Sequence, residues 1–209
     1  MIKPVNPSKW NVETLAHLSG VTQVHHVLPD GGAWGTYRRS IIHFNGDQLT
    51  QTAVFPFVFP RDFFGFSRLT ARPTRADKCN LYINSKGKLL GIRGGKVYRL
   101  DERSTLQPLF SIQGDCVLHG SLAEDMEGWT YFGEYFRNSN RGPVRLWRVS
   151  PNLDKYEIAH EFTAGQIRHI HGIYPDPFEP GALWLLTGDY ADECYFFRTR
   201  DRFVTMERF

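Results

Sequence analysis

Short apolar and aromatic runs separated by turn residues recur along almost the whole chain. β-Branched and aromatic residues fill these runs, and Gly, Pro, Asn and Asp separate them, which is typical of strands joined by tight turns. The predicted strands are TYRRSIIHF (36–44), LTQTAVFPFVF (49–59), NLYIN (80–84), KLLGI (88–92), KVYRL (96–100), WTYFGEY (129–135), VRLWRVS (144–150), YEIAHEF (156–162), ALWLLTG (182–188) and CYFFRT (194–199). Only residues 11–20 offer a short helical period. The sequence therefore predicts an all-β fold.

Two longer segments are copies of one pattern. HGSLAEDMEGWTYFGEY (119–135) and HGIYPDPFEPGALWLLTGDY (171–190) each open with His-Gly, cross a polar turn into an aromatic strand, and close with Gly, an acid and Tyr. Residues 80–102 also contain three consecutive predicted strands, and the turns between them are shorter. Four strands in roughly 40–55 residues is the period of a propeller blade. We predict one β-propeller domain over residues 1–209, with about four four-stranded blades near 20–60, 61–112, 113–163 and 164–209.

Turn residues after two of these strands match a known motif in part. Ser150, Asn152 and Asp154 occupy Asp-box positions in one blade, and Thr199 and Asp201 occupy them in the next. With the run HIHGIYPDPFEPGALWLLTGDYADECYFFRTRDRF (169–203), they make residues 78–209 resemble the sialidase-like, BNR-repeat propellers, including glycosyl-hydrolase-like proteins of bacterial polysaccharide clusters. The resemblance implies a propeller fold and a function directed at carbohydrate.

The chain is shorter than members of that family, which have more blades. Three arrangements fit this length: a compact small propeller, a partial chain, or blades completed by another protomer. We favour an incomplete ring, and a homo-oligomer or a further chain would then supply the missing blades.

The repeat predicts where a site lies. In a propeller blade the innermost strand begins, and the second strand ends, at the same rim, where ligands bind. The predicted catalytic residues are Glu134, Asp189, His171 and His119. The predicted ligand-binding residues are Arg137, Arg141, His169, Tyr135, Tyr190 and Asp192. Arginines pair with carboxylates and tyrosine rings offer flat faces to sugars, so a glycan or another polar small molecule is the expected partner.

The pair His169 and His171 admits two interpretations. Two residues apart on a strand, both rings point to one face, as two metal ligands would. A metal needs further ligands, and no HExxH or similar spacing supplies them, so we expect neither a metal nor a cofactor. Alternatively, each His-Gly pair is a feature of the blade, with the imidazole bonded to a neighbouring blade. The first copy has Val117 where the second has His169, which singles out His169 as a mark of function.

Charge and cysteine content narrow the partners. Lysine and arginine number 25 against 22 acids, a net charge of +3, too weak a field to indicate nucleic acid or an anionic membrane. Cys79, Cys116 and Cys194 form no CxxC, which indicates free thiols. No signal region and no stretch of about 18 apolar residues is present, so we expect a soluble cytoplasmic protein.

The predicted function is recognition or processing of carbohydrate at this rim. As an enzyme the protein would be a glycosidase or lyase, with Glu134 or Asp189 as the carboxylate and His171 or His119 as its proton-transfer partner. The equivalence of Glu134 and Asp189 in the repeat also fits blade contacts without catalysis. The alternative function is a noncatalytic scaffold that binds a protein partner at the rim or along an unpaired edge strand.

Overall fold

The protein folds as a β-propeller of four four-stranded antiparallel blades. A computed structural model describes residues 21–209, without the side chains of Phe66, Arg68 and Arg72. Within each blade the strands pair in sequence order. The all-β and propeller predictions are confirmed. The helical turn predicted at 11–20 lies outside the described residues.

The sixteen strands of residues 21–209 follow one another in groups of four. Blade 1 contains β1 (Gln23–Val27), β2 (Ala33–Tyr37), β3 (Ser40–Phe44) and β4 (Leu49–Val54); blade 2 contains β5 (Asn80–Ile83), β6 (Leu89–Arg93), β7 (Lys96–Leu100) and β8 (Leu106–Ser111). Blade 3 contains β9 (Ala123–Glu124), β10 (Thr130–Gly133), β11 (Val144–Val149) and β12 (Tyr156–Phe162); blade 4 contains β13 (Ile170–Pro175), β14 (Leu183–Thr187), β15 (Phe196–Thr199) and β16 (Glu207–Arg208).

One predicted strand is two strands. The chain reverses inside TYRRSIIHF (36–44), where Tyr37 of β2 pairs with Ser40 of β3 and Arg38 takes a positive φ of 55°. The tight hairpin places two arginines at its tip. Arg38 is exposed, whereas the guanidinium of Arg39 donates to the Phe55 carbonyl at 2.7 Å.

The connection between blades 1 and 2 is helical, and the prediction of a strand that continues to residue 59 is wrong. β4 ends at Val54, and a 3-10 helix (Arg61–Phe66) and α1 (Arg68–Thr74) follow. Asp62 fixes this connection. Its carboxylate is buried, accepts the Val58 N–H at 2.8 Å and pairs with the buried guanidinium of Arg93. The local bond to Val58 and the long-range bond to Arg93 override the strand preference of the aromatic run.

Three apolar clusters join successive blades. Ile41, Ala53 and Phe55 pack on Cys79, Leu81, Leu89, Tyr98 and Leu106 between blades 1 and 2. Leu90, Ile92 and Val97 pack on Val117, Phe132, Trp147, Val149 and Leu153 between blades 2 and 3. Ala123, Tyr131, Val144, Leu146 and Phe162 pack on Ile167, Ile170, Ile173, Leu183, Leu185 and Phe203 between blades 3 and 4. Within residues 21–209 no such cluster joins blade 4 to blade 1.

Blades 3 and 4 approach especially closely at the rim. A Cβ on Gly133 would overlap the side chain of Ile170, so the absence of a side chain at Gly133 lets the strands meet. The backbone N–H of Ile170 also donates to the Glu134 carbonyl across this seam at 3.1 Å. The end of β10 and the start of β13 are therefore held in register, which brings the closing triplet of one repeat next to the opening histidines of the other.

The Asp-box positions lie in turns between third and fourth strands. Ser150 Oγ accepts the N–H of Lys155 at 3.0 Å and bonds to the Asp154 carboxylate at 2.6 Å. Thr199 Oγ1 accepts the N–H of Phe203 at 3.0 Å, and Asp201 accepts the N–H of Thr205. These side chains therefore close their own turns, whereas Asn152 accepts a hydrogen bond from Lys86 of blade 2 at 3.1 Å. No helix of the described chain is long and apolar enough to cross a bilayer.

Candidate functional site

A cleft of about 660 Å³ opens at the rim where blades 3 and 4 meet. Its wall combines arginine, carboxylate and tyrosine groups, as expected of a polar-ligand site. The lining residues are Arg75, Gly114, Asp115, Tyr135, Phe136, Arg137, Asn138, Ser139, Arg168, His169, Asp189 and Tyr190. Five of the ten residues predicted for the site therefore line one cleft.

Two imidazoles and one carboxylate converge at the edge of this cleft. The Nε2 atoms of His169 and His171 are 3.0 Å apart. Asp189 contacts both rings, with Oδ1 3.1 Å from His171 Nε2 and Oδ2 3.2 Å from His169 Nε2. A bulge in β13 between Ile170 and Gly172 adjusts the strand at His171. We call these three side chains the rim triad.

The neighbouring blade holds His169 in place. Its Nδ1 lies 3.2 Å from the carbonyl oxygen of Phe136, and its side chain is only 5% exposed. The ring of Tyr135 packs against it, with centroids 4.4 Å apart. A carbonyl oxygen can only accept, so Nδ1 carries the hydrogen of this bond and the neutral ring presents a bare Nε2 lone pair to the rim triad.

Gly188 determines the position of Asp189. It has a φ of +90°, and a Cβ there would overlap the Glu193 carbonyl. The loop after it is fixed by short polar contacts, because Thr187 Oγ1 donates to the Glu193 carbonyl at 2.7 Å and the Glu193 N–H donates to the Tyr190 carbonyl at 2.9 Å. Asp189 therefore sits on an anchored loop, although its own side chain is 44% exposed.

A buried carboxylate organises the arginines beside the rim triad. Glu193 is fully buried and pairs with Arg168 at 3.2 Å and with Arg141 at 2.7 Å. The Arg168 guanidinium also stacks on the Tyr190 ring, 4.8 Å from its centroid. Arg168 therefore reaches the cleft with a fixed orientation and supplies a positive charge that the sequence prediction omitted.

Arg141 and Asp192 satisfy one another. Arg141 Nη2 lies 2.7 Å from Asp192 Oδ2, and neither residue lines the cleft. The hydrogen bond to Asp192 raises the pKa of Arg141, and the same bond lowers the pKa of Asp192. Arg137, by contrast, is exposed in the cleft and forms no ion pair with a described residue.

Glu134 is enclosed in blade 3, outside the cleft. It is fully buried, and its carboxylate accepts the N–H groups of Gln113 at 2.9 Å, Arg145 at 3.1 Å and Trp147 Nε1 at 3.2 Å. The Gln113 side chain adds a fourth bond at 3.3 Å. This arrangement satisfies the carboxylate with structural donors and leaves it no path to a ligand.

His119 lies apart from the rim triad. Its Nδ1 is 2.8 Å from Gln23 Nε2, and its ring is 5.3 Å from that of His25. Burial, followed by the charge of His119, lowers the pKa of His25 to about 3. The structure thus separates the four predicted catalytic residues, since His171 and Asp189 meet while Glu134 and His119 have other contacts.

Several cleft residues were missed by sequence reasoning. Arg168 directly precedes His169, and that adjacency was the one available signal. Asp115 and Arg75 come from the connections flanking blade 2, with Arg75 Nε 3.6 Å from Asp115 Oδ2. The Phe136 carbonyl is a backbone group, so no residue type announces it.

Comparisons with known proteins support this fold and show neither a family nor a function. No protein-family model matches the sequence, and no curated protein matches it. A gluconolactonase from Xanthomonas campestris is similar in structure, with a TM-score of 0.51 and 12% identity, covering 86% of this chain and 58% of the gluconolactonase. At that identity the likeness shows the fold alone, and this chain spans less than two thirds of its neighbour.

Two further structures resemble the chain more weakly. A Bacteroides caccae protein of unknown function has a TM-score of 0.49 and 15% identity, covering 95% of this chain and 70% of its own. The extracellular domain of a protein described as a hybrid two-component system from B. thetaiotaomicron has a TM-score of 0.48 and 14% identity, covering 87% and 22%. The likeness to the gluconolactonase supports the propeller fold, whereas a sialidase or BNR family is not confirmed.

Proposed function

We propose that the rim cleft binds a polar, acidic carbohydrate and that the protein processes it there. The observation that carries this proposal is the His171–Asp189 pair, 3.1 Å apart, at the edge of a cleft that also presents Arg137 and Tyr190. A guanidinium without an ion-pair partner suits a carboxylate of the ligand, and a 58% exposed tyrosine ring offers a face to a sugar.

The chemistry that this arrangement supports is proton transfer at a hydroxyl group or a water molecule. A carboxylate that accepts a hydrogen bond from an imidazole orients the ring and stabilises its charged form. Asp189 bears that relation to His171. Glu134 is enclosed, and Asp115 in the cleft wall is paired with Arg61 and Arg75. The proposal therefore uses one carboxylate, that of Asp189, which differs from the two carboxylates of most glycoside hydrolases.

Binding is tested first, by calorimetric titration with glucuronate, galacturonate and gluconate against neutral glucose. We expect saturable binding of at least one acid and weaker or no binding of glucose. Arg137→Ala should weaken acid binding by about tenfold or more, as expected for loss of a charge-assisted hydrogen bond. Arg103→Ala is the matched control, because Arg103 is exposed in the turn between β7 and β8. Failure of every acid to bind would contradict the proposal.

Turnover is tested separately, with uronide glycosides, uronate oligosaccharides and aldonolactones as three substrate classes. The lactones are included because the gluconolactonase from X. campestris shares the fold. His171→Asn and Asp189→Asn should abolish turnover without unfolding the protein. Binding without turnover in any class would favour the noncatalytic alternative.

A further inference from the structure

We propose that His169, His171 and Asp189 bind a divalent transition metal ion, with zinc as the best match, and leave a coordination position open to the cleft. The inference goes beyond the proposed function, since the site stands on three side chains whatever ligand the cleft takes. It also goes against the expectation from the sequence, which offers two histidines of one strand and no third ligand. The loop after Gly188 supplies the third.

The rim triad has too few hydrogen-bond donors for its contacts. Because His169 Nδ1 donates to Phe136, its Nε2 faces the triad as an acceptor. That atom nevertheless lies 3.0 Å from His171 Nε2 and 3.2 Å from an Asp189 oxygen. A neutral His171 brings one hydrogen on Nε2 and cannot satisfy every one of these contacts. A cation at the centre of the triad satisfies them all.

The distances between the polar atoms of the triad are also close to those between the ligands of a zinc ion. Zinc binds imidazole nitrogen and carboxylate oxygen at about 2.0–2.2 Å, which puts tetrahedral ligands about 3.3 Å apart. The Nε2 atoms of His169 and His171 are 3.0 Å apart; the first lies 3.2 Å from Asp189 Oδ2 and the second lies 3.1 Å from Asp189 Oδ1. These distances are close to the value for zinc ligands, and the exposed carboxylate of Asp189 can supply either oxygen. Calcium binds at 2.3–2.6 Å and prefers an all-oxygen shell, so two imidazoles disfavour it.

The hydrogen bond that orients His169 also suits a metal ligand. Metal-bound histidines characteristically donate their other ring N–H to a carbonyl or carboxylate, which fixes the tautomer and aims the lone pair. The Phe136 carbonyl does this for His169. Two imidazoles and a carboxylate suit zinc and its late transition-metal neighbours.

The remaining coordination positions face outward. His169 is 5% exposed, whereas His171 is 33% and Asp189 is 44% exposed. Three protein ligands with an accessible fourth position is the arrangement of zinc sites that act on substrates. With the ion bound, His171 Nε2 is a ligand, so the open position takes over the contact with a hydroxyl or carboxylate group in the cleft.

The direct test is metal binding by the whole protein without carbohydrate. Protein prepared without metal-affinity steps is stripped with a chelator, dialysed and titrated with Zn²⁺ by calorimetry, and with Co²⁺ by visible absorption. We expect one equivalent of each, a cobalt spectrum typical of mixed nitrogen and oxygen ligation, and a rise in thermal midpoint on saturation.

Variants assign the site. His169→Val installs the residue of the first repeat copy and should weaken zinc binding by more than the roughly 10–100-fold that loss of a supporting residue costs. Asp189→Asn should weaken it as well. His119→Ala, the equivalent histidine of blade 3, should bind as wild type does. Circular dichroism of each variant verifies folding, and the cobalt spectrum identifies ligands independently of stability.

Three outcomes would overturn the site: no saturable binding of either ion to wild type, equal binding by His169→Val, or loss of binding in His119→Ala. Failure here differs from failure of the proposed function. No metal binding with turnover intact would retain the proton-transfer pair and remove the metal site. Zinc binding without affinity for any acidic sugar would retain the metal site and remove the carbohydrate.

Discussion

The two copies of the repeat use the same pattern for opposite purposes. In blade 3 the closing acid, Glu134, is fully buried and accepts four hydrogen bonds from its own surroundings. In blade 4 the corresponding acid, Asp189, is 44% exposed and contacts two histidines. The equivalence of these residues in sequence therefore extends to their place in the blade and not to their role.

The difference arises because blade 4 has a second acid. Glu193 is fully buried beside the end of β14 and pairs with Arg141 and Arg168. A buried carboxylate thus anchors the rim in both blades. In blade 4 Glu193 provides that anchor, which leaves Asp189 available for the cleft. The comparison teaches that a residue becomes available for function when a neighbour takes over its structural contacts.

The largest difference between the two blades is expected when each acid is replaced by alanine. Glu134→Ala should lower the free energy of unfolding by about 3 kcal/mol or more, because buried N–H groups of Gln113, Arg145 and Trp147 lose their acceptor. Asp189→Ala should change it by less than about 1 kcal/mol, as exposed polar sites usually do. Urea denaturation measures both. Equal losses would show that the two acids play the same part.

A smaller effect is expected from the loop that carries Asp189. Gly188→Ala puts a methyl group against the Glu193 carbonyl at a φ of +90° and should cost about 2 kcal/mol while displacing Asp189. Gly120→Ala is the control, since Gly120 has a φ of +70° with open space around it. Strain alone should cost about 1 kcal/mol there. Thermal denaturation compares the stability of the two variants, and the affinity for zinc should fall only for Gly188→Ala.

The smallest effect concerns the hairpin that joins the two ends of the blade 4 repeat. The pKa of Asp176 is lowered, chiefly because its carboxylate accepts a hydrogen bond from the N–H of Phe178. The N–H of Glu179 and Trp184 Nε1 add to this shift, and burial opposes it. The stabilising contribution of Asp176 is therefore full above the unfolded pKa of about 3.9 and is lost as pH falls through the lower folded value.

Thermal midpoints measured from pH 7 to pH 3 provide the test. Asp176→Asn should melt below wild type at pH 7, and the gap should narrow below about pH 4 as the wild-type carboxylate becomes protonated. A gap that stays constant down to pH 3 would argue against this assignment.

The sequence predicted the architecture because blades are built from local signals. The spacing of strands and turns predicted four blades. Val117 stands in the first copy where the second copy has His169, and this difference directed attention to a histidine that the structure places in the rim triad. The helical connection at 61–74 was not predicted, and the strand before it was carried too far, because Asp62 meets Arg93 31 positions away and no local pattern indicates that bond.

The site was predicted in part for the same reason. His169, His171 and Asp189 stand at repeat ends, so their convergence followed from the fold. The enclosure of Glu134 depends on Gln113 and Trp147, which lie outside its repeat, and the pairing of Arg141 with Asp192 spans 51 positions. Long-range partners of this kind decide whether a polar residue is available.

The bond from His169 to the Phe136 carbonyl has a mechanical consequence. The three ligands of the proposed site belong to blade 4, but the group that aims the most buried of them belongs to blade 3. Separation of blades 3 and 4 would let the His169 ring rotate and would disperse the three ligands. An ion bound there would stabilise the interface between the two blades, so the affinity for the ion would depend on how stable that interface is.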